Sequence, residues 1–278
     1  MIRKNNKKDT RGKRKENGLK PAKFEKRKPE DHNIEQGLQL EGRNAVLEAL
    51  NHDKPIDKLF IKKGEIEGTL RVIVAKARDK GIVVQEISKD KMAALSKSNN
   101  NQGVVAMCPA HDYSTVEDII ASAREKGEDP FIIICDEIND PHNLGAIIRT
   151  AEACGAHGVI ISKRRAVGLS AIVSKTSAGA IEFVPVARVS NISATIDKLK
   201  KENIWVACAD MDGKPYFNEN LKGAVALVVG NEGEGVGKLV KEKCDFTVGI
   251  PMYGNISSLN ASVSAGLIMY EIVRQRKF

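Results

Sequence analysis

Aromatic side chains are scarce in this chain, at 4% of 278 residues. That argues against a surface that reads nucleic acid mainly by stacking bases on a row of rings. Long apolar runs are missing too. None approaches the roughly 20 residues that cross a bilayer, so no membrane association is expected. The basic N-terminus lacks an apolar h-region and is not expected to act as a secretory signal. The five cysteines form no C-x-x-C pair. Cys108, Cys135 and Cys208 sit in or at the end of apolar runs. The set therefore reads as buried, reduced thiols of a cytoplasmic protein, with no metal site among them.

What is present is a soluble composition, 42% hydrophobic and 29% charged, on a chain long enough for two domains. The net charge of +8 is unevenly placed: residues 1–31 hold 13 Lys/Arg against 5 Asp/Glu, and the remainder balances. Residues 1–36, nearly devoid of apolar side chains, read as a disordered basic arm suited to a polyanion such as RNA. Any nucleic-acid surface on the body must then come from local segregation of charge.

Residues 37–109 read as a small α/β domain. Glu41–Leu50 is a turn leading into an amphipathic helix, Lys58–Ile61 a strand, Leu70–Lys80 a helix, and Ile82–Gln85 a strand. A polar stretch, Ser96–Asn101, precedes a further strand over Val104–Met107. No catalytic constellation appears in it. Residues 110–129 read as a linker with one helix, Val116–Glu125. Residues 130–278 alternate apolar strands with helices: strands at Phe131–Cys135, Val159–Ser162, Phe183–Val186, Ile204–Ala209, Val225–Val229 and Phe246–Ile250, helices at Asn143–Cys154, Ser170–Ala178, Ile192–Glu202 and Val236–Lys243, and a closing helix. Continuous apolar strands separated by helices predict a buried parallel sheet.

Three stretches of this second region carry chemistry. The first is Asp136-Glu137-Ile138-Asn139-Asp140-Pro141-His142-Asn143-Leu144-Gly145 with Arg149. Asn143 suits a helix N-cap or a pocket group. A guanidinium at Arg149, if turned into a cleft, would need a phosphate or carboxylate partner, while a surface pair with Glu152 is the plainer alternative. His142 beside Asp140 has the type of a general base, but no nucleophile lies near it in the sequence. The second is Val229-Gly230-Asn231-Glu232-Gly233-Glu234-Gly235-Val236-Gly237. Neither phosphate template fits: Rossmann spacing from Gly233 and Gly235 puts Lys238 where glycine is needed, and a P-loop ending at Gly237-Lys238 meets Glu232 and Leu239 at its other required positions. Glu232 and Glu234 would also repel a pyrophosphate. A ligand that is cationic, or read by backbone groups, suits the loop better. The third is Ile250-Pro251-Met252-Tyr253-Gly254-Asn255-Ile256-Ser257-Ser258-Leu259-Asn260, a strand end, a turn and a helix start, followed by the low-bulk run Ala261–Gly266.

In order and spacing these three stretches resemble the signature motifs of the SpoU (TrmH-type) RNA ribose 2′-O-methyltransferases, a resemblance covering Phe131–Gln275. Gly42-Arg43-Asn44-Ala45-Val46 and Gln102-Gly103-Val104-Val105-Ala106 are similar to the RNA-binding domain of the subgroup that methylates guanosine in 23S ribosomal RNA. The resemblance implies a C-terminal trefoil-knotted (SPOUT) domain that binds S-adenosylmethionine without a metal and works as a homodimer. It implies cofactor contacts from Gly230, Asn231, Ile250, Met252, Ser258 and Leu259. It further implies Arg149 as the catalytic arginine, with Asn143, Glu232, Ser258 and Asn260 shaping the pocket. Asn231 departs from the small residue common in the family, a change expected to affect shape more than chemistry. The same reaction on transfer RNA, or a non-catalytic role in ribosome assembly, are the alternatives.

Overall fold

The structure, a computed structural model, describes residues 38–64, 66–98 and 100–278; the basic arm read over residues 1–36 lies outside them. The first sheet is built from β1 (Leu38–Glu41), β2 (Lys58–Lys62), β3 (Val83–Ile87) and β4 (Val104–Cys108), in the order β1-β4-β2-β3. Only the β2–β3 pair is parallel. Helices α1 (Arg43–Asn51) and α2 (Thr69–Asp79) cover one face with Val46, Leu50, Leu70 and Ile73.

Two elements here are not foreseen by periodicity. The first is β1, whose four residues are too short to show alternation. The second is α3 (Lys89–Leu95), capped by Ser88 and laying Met92 and Leu95 on the other face of the sheet. That second cover explains why every residue of β4 is buried. The polar stretch beginning at Ser96 is pinned by Glu41 at the end of β1. The Glu41 carboxylate accepts from Lys97 N at 2.6 Å, Ser98 N at 3.0 Å, Ser96 Oγ at 2.6 Å and the Ser98 hydroxyl. Burial pushes this carboxyl up, but those donors outweigh it and bring it down to about 2.

Thr115 opens α4 (Val116–Glu125) with a reciprocal capping box to Asp118, and the apolar face of α4 packs onto the second sheet. That sheet comprises β5 (Phe131–Asp136), β6 (Gly158–Ser162), β7 (Val186–Val189), β8 (Trp205–Pro215), β9 (Val225–Gly230) and β10 (Phe246–Gly249). All neighbours are parallel, in the order β10-β8-β9-β5-β6-β7. The continuous apolar strands are buried on both faces, as their sequences require. Phe131, Ile133 and Cys135 of β5 face α5 (Pro141–Ala153), α6 (Ala171–Thr176) and α9 (Ala261–Lys277). Ile132 and Ile134 face α4, α7 (Ile192–Lys201) and α8 (Lys238–Lys243).

Three boundaries differ from the periodicity. The strand expected over Phe183–Val186 starts only at Val186, because a short 3-10 turn at Ala180–Glu182 and Pro185 interrupt it; Phe183 is 78% exposed. The helix expected from Val236 starts at Lys238, since the residues before it belong to a tight loop. β8 runs on to Pro215 through a bulge, where its pairing with β10 jumps from Cys208 to Lys214. At that bulge the backbones press together: a Cβ on Gly249 would lie 2.7 Å from the Gly213 carbonyl oxygen.

β10 lies at a sheet edge, three strands from β5. Residues 250–260 therefore carry the chain over the ends of β8 and β9, about 14 Å at the usual strand spacing, before α9 packs on α5. The small residues at the start of α9 serve this contact: Ala261 and Ala265 are buried, and Gly266 faces Thr150.

Replacing Ile133 with Ala in the centre of β5 is expected to cost about 3 kcal/mol in urea denaturation, through lost burial and the cavity left behind. Acid should also act in two stages. The buried His157 ring accepts the Phe131 N–H at Nδ1 (3.0 Å) and meets Glu128 at Nε2 (3.1 Å). Burial holds its pKa below 6.5 despite Glu128, so its contribution is present above about 6.5 and lost as pH falls through the folded value. The Glu41 contribution is present above about 4.5 and lost as pH falls towards 2. Melting temperature against pH should show both losses, and Glu41→Gln should remove the second.

Candidate active site

Asp136 and Gly230 are register partners at the C-terminal ends of β5 and β9. Between these strands the order of the sheet changes direction, which is where open α/β sheets form ligand crevices. The buried Asp136 accepts from Gly237 N at 2.9 Å, drawing the β9–α8 loop over the strand ends. Within the loop, Asn231 and Gly235 exchange backbone hydrogen bonds of 3.1 and 2.9 Å. Gly235 takes a φ of 70°, and a Cβ on Gly230 would collide with the Gly235–Val236 peptide. The Asn231 side chain accepts from Gly233 N at 2.8 Å and donates to the Glu137 carbonyl at 3.0 Å. This residue shapes the loop and ties it to the end of β5.

Asp140, not Asn143, caps α5: its side chain accepts from His142 N at 2.8 Å, and Pro141 occupies the first helical position. Asn143 is thereby freed for tertiary contacts and is buried. Its Nδ2 donates to the Glu232 carboxylate, and its Oδ1 accepts from Asn260 Nδ2 at 2.9 Å. Asn260 in turn caps α9, accepting from Ser262 N at 2.9 Å and Val263 N at 3.4 Å. One amide thus joins all three sequence motifs.

The remaining candidates lie around this junction. Arg149 is exposed on α5, six residues beyond Asn143, or about 9 Å along the axis. Among the described residues it makes no ion pair, with Glu152 or any other group. Ser258 is exposed and makes no side-chain hydrogen bond among the described residues. Ile250 is half-buried against the core below α5 and α9, whereas Met252 and Leu259 are partly exposed in the loop. His142 is exposed, and among the described residues its ring meets only Thr176 Oγ1, at 3.4 Å. No thiol is poised for attack here, since burial pushes Cys135 up to about 12.

Two acidic residues gain importance that motif spacing did not assign, Asp136 and Glu137. Their signal was a carboxylate pair ending an otherwise wholly apolar strand. With Glu232 and Glu234 they make the strand ends acidic. Burial raises the Glu137 pKa, and the neighbouring Asp136 and Glu234 raise it further against the opposing pull of Arg165. Such a site disfavours phosphate and suits a cation. Among the described residues no group of three or more His, Cys, Asp or Glu side chains is placed to hold a metal ion.

The geometry defines an α/β ligand-binding domain whose crevice is assembled from late-sequence loops, preceded by a small α/β module. Residues 130–270 match the SpoU rRNA Methylase family, and residues 39–114 match the RNA 2′-O ribose methyltransferase substrate-binding family. The Bacillus subtilis protein YacO, named as a TrmH family tRNA/rRNA methyltransferase, is 46% identical over 237 residues, covering 84% of this chain and 94% of its own. A Staphylococcus aureus protein of the same family name is 43% identical, with 84% and 95% coverage. The crystal structure of the SpoU methyltransferase AviRb from Streptomyces viridochromogenes with AdoMet superposes with a TM-score of 0.53 at 27% identity, covering 86% of this chain and 90% of AviRb. An AdoMet-bound rRNA methyltransferase from Sinorhizobium meliloti gives 0.54 at 25% identity, covering 86% and 87%. The chain belongs to the SpoU family of RNA methyltransferases, and its C-terminal region has the SPOUT fold.

Replacing Asn143 with Ala strands both the Glu232 carboxylate and the Asn260 amide. Hydrogen–deuterium exchange is expected to speed up in residues 231–237 and at the start of α9, with the centre of β5 unchanged. Unchanged exchange in both loops would mean that the junction does not hold them.

Proposed function

We propose that this chain transfers a methyl group from S-adenosylmethionine to a ribose 2′-OH, on a guanosine of 23S ribosomal RNA. The observation that carries this reading is the Asn143 junction, which gathers the three family motifs at one sheet end, while Arg149 on the same helix makes no ion pair among the described residues. The residues present fit the cofactor. The close approach of Gly230 to Gly235–Val236 makes a backbone-walled cradle, and the carboxylates around it complement a sulfonium. In this reading Gly230, Asn231, Ile250, Met252, Ser258 and Leu259 hold the cofactor, chiefly through backbone groups. When bound, it supplies an electrophilic methyl that needs no metal to activate it.

The chain's own task is then to position a weakly acidic hydroxyl and provide for its proton. A guanidinium carries only N–H donors and no acceptor, so Arg149 is not the group that takes that proton. Its exposed fork is suited to grip a phosphate of the substrate and so fix the ribose. Asn143, Glu232, Ser258 and Asn260 shape the pocket wall, the amide chain tying the exposed Glu232 to Asn143.

A homodimer is part of the proposal. Helix α9 leaves Val263, Leu267 and Tyr270 exposed on one face, immediately after the loop that exposes Tyr253 and Ile256. A second copy covering that face would lie beside the crevice. The buried cysteines accord with a reducing cytoplasm. The ribosomal target is favoured over transfer RNA by the extra N-terminal module.

Arg149→Ala is expected to lower methyl transfer by at least about 10²-fold, on the scale of lost positioning and proton-transfer help. S-adenosylmethionine affinity, measured by calorimetry, should stay unchanged; its loss would give Arg149 a structural role instead. Labelled cofactor offered with separated ribosomal and transfer RNA should mark the large-subunit RNA, and label confined to transfer RNA would reassign the substrate.

A further inference from the structure

A second cleft, distinct from the Asn143 junction, lies where the two modules meet beside β7. Arg188 of β7 is buried, its side chain only 8% exposed, and it is ion-paired with Asp57 from the first sheet's module. Its Nη2 also reaches the carbonyls of Asp57 and Lys163, both at 3.3 Å. Tyr113 donates to Asp57 at 2.9 Å, accepts from Leu169 N at 3.1 Å, and lies with its ring 5.5 Å from the guanidinium. Burial raises the Asp57 carboxyl even against the pull of Arg188. One atom remains unsatisfied: Arg188 Nε is the only buried side-chain polar atom without a partner among the described residues.

These groups line a cavity of about 270 Å³ together with Lys54, Lys80 and Lys163. Lys80 pairs with the exposed Asp53, while Lys54 and Lys163 have no carboxylate partner among the described residues. Four cations thus face a cavity whose one lining acid is already engaged. Lys163 directly follows β6, and Arg188 sits near the end of β7. The cleft therefore opens at the same end of the parallel sheet as the crevice between β5 and β9, two strands further along. Between them the β6–α6 loop adds exposed Arg164, while its neighbour Arg165 pairs with Glu137 at 3.0 Å.

We propose that this inter-module cleft is a phosphate site, occupied by a backbone phosphate of the RNA substrate at a distance from the methylated ribose. The inference rests on the reading of the chain as an RNA-modifying enzyme and adds to it a second anchoring point, held jointly by both modules. A nucleic acid gripped at Arg149 and here would be held at two points, its register set before the ribose reaches the crevice. A phosphate held by lysines also releases counterions, so the site should be visible in salt dependence.

The test is a Lys54→Gln/Lys163→Gln double variant, both positions lying outside the hydrophobic cores. Binding of protein-free 23S ribosomal RNA is measured by filter retention from 50 to 300 mM KCl. The expected result is weaker binding and a slope of log affinity against log salt shallower by about one, the contribution of one phosphate. Melting temperature and S-adenosylmethionine affinity should not change. An unchanged slope overturns the proposal. Inorganic phosphate supplies the second arm: if it binds the wild-type chain and not the variant, while the RNA slopes coincide, the cleft takes a free phosphate and the RNA assignment falls. Neither arm uses methyl transfer, so a wild-type chain inactive on every RNA would count against the proposed reaction and leave this result readable.

Discussion

The crevice depends on one side-chain amide. Asn143 presents its NH₂ to Glu232 and its carbonyl to Asn260, contacts that span 89 and 117 residues of sequence. A buried amide can satisfy both a carboxylate and an amide donor only in one orientation, so the junction fixes the facing direction of each partner. It also works because its neighbours relieve it of other duties. Asp140 takes the capping role on α5, and Asn260 caps α9 with the oxygen that its amide nitrogen leaves free. The cap that starts the last helix of the chain is therefore held in place by a residue of an earlier one.

A second constraint is steric. Gly230 against Gly235–Val236, and Gly213 against Val248–Gly249, are places where backbone meets backbone with no room for a Cβ. The first folds the acidic loop back over its own strand. The second lets β10 press against the bulge of β8 before the chain turns across the strand ends. Together they give a crevice walled largely by main chain. Such a wall offers amide and carbonyl groups to a ligand in fixed directions and tolerates little side-chain bulk nearby.

Much of this was legible in the residues, though unevenly. The parallel sheet was, because Phe131–Cys135 and Val225–Val229 are continuous apolar runs, and only strands buried on both faces need that. The failure of both phosphate templates in the Gly-rich loop was equally plain and pointed away from an anionic ligand. The beginning of β7 was misplaced because Phe183 is apolar yet exposed, while Pro185, the decisive residue, removes a donor without altering hydrophobicity. α3 is too short, with only Met92 and Leu95 on its buried face, to show a period, and the polar stretch after it is organised by Glu41, fifty-five residues from Ser96. Asn143 suits either a cap or a pocket group in the sequence because its helix start offers two candidates within four residues; only the fold shows that Asp140 holds the cap. The Asp57–Arg188 pair joins positions 131 residues apart, and no local pattern marks such a pair.

The charge of the body can now be understood as a division of labour. Outside the N-terminal arm the acidic and basic residues balance in number, which by itself predicts no attraction to RNA. Space separates what the total conceals. Carboxylates gather where β5 and β9 end, around a main-chain cradle suited to a cation. Basic side chains stand around them, Arg149 alone on α5, Arg164 on the β6–α6 loop and the lysines of the cleft between the sheets, the surfaces a polyanion would meet. Putting both signs at one end of the same sheet brings an electrophilic cation and an anionic strand together without letting either occupy the other's place. Mixed charge at short range is thus a condition for the two ligands to be discriminated, and near-neutrality of the whole body is its consequence.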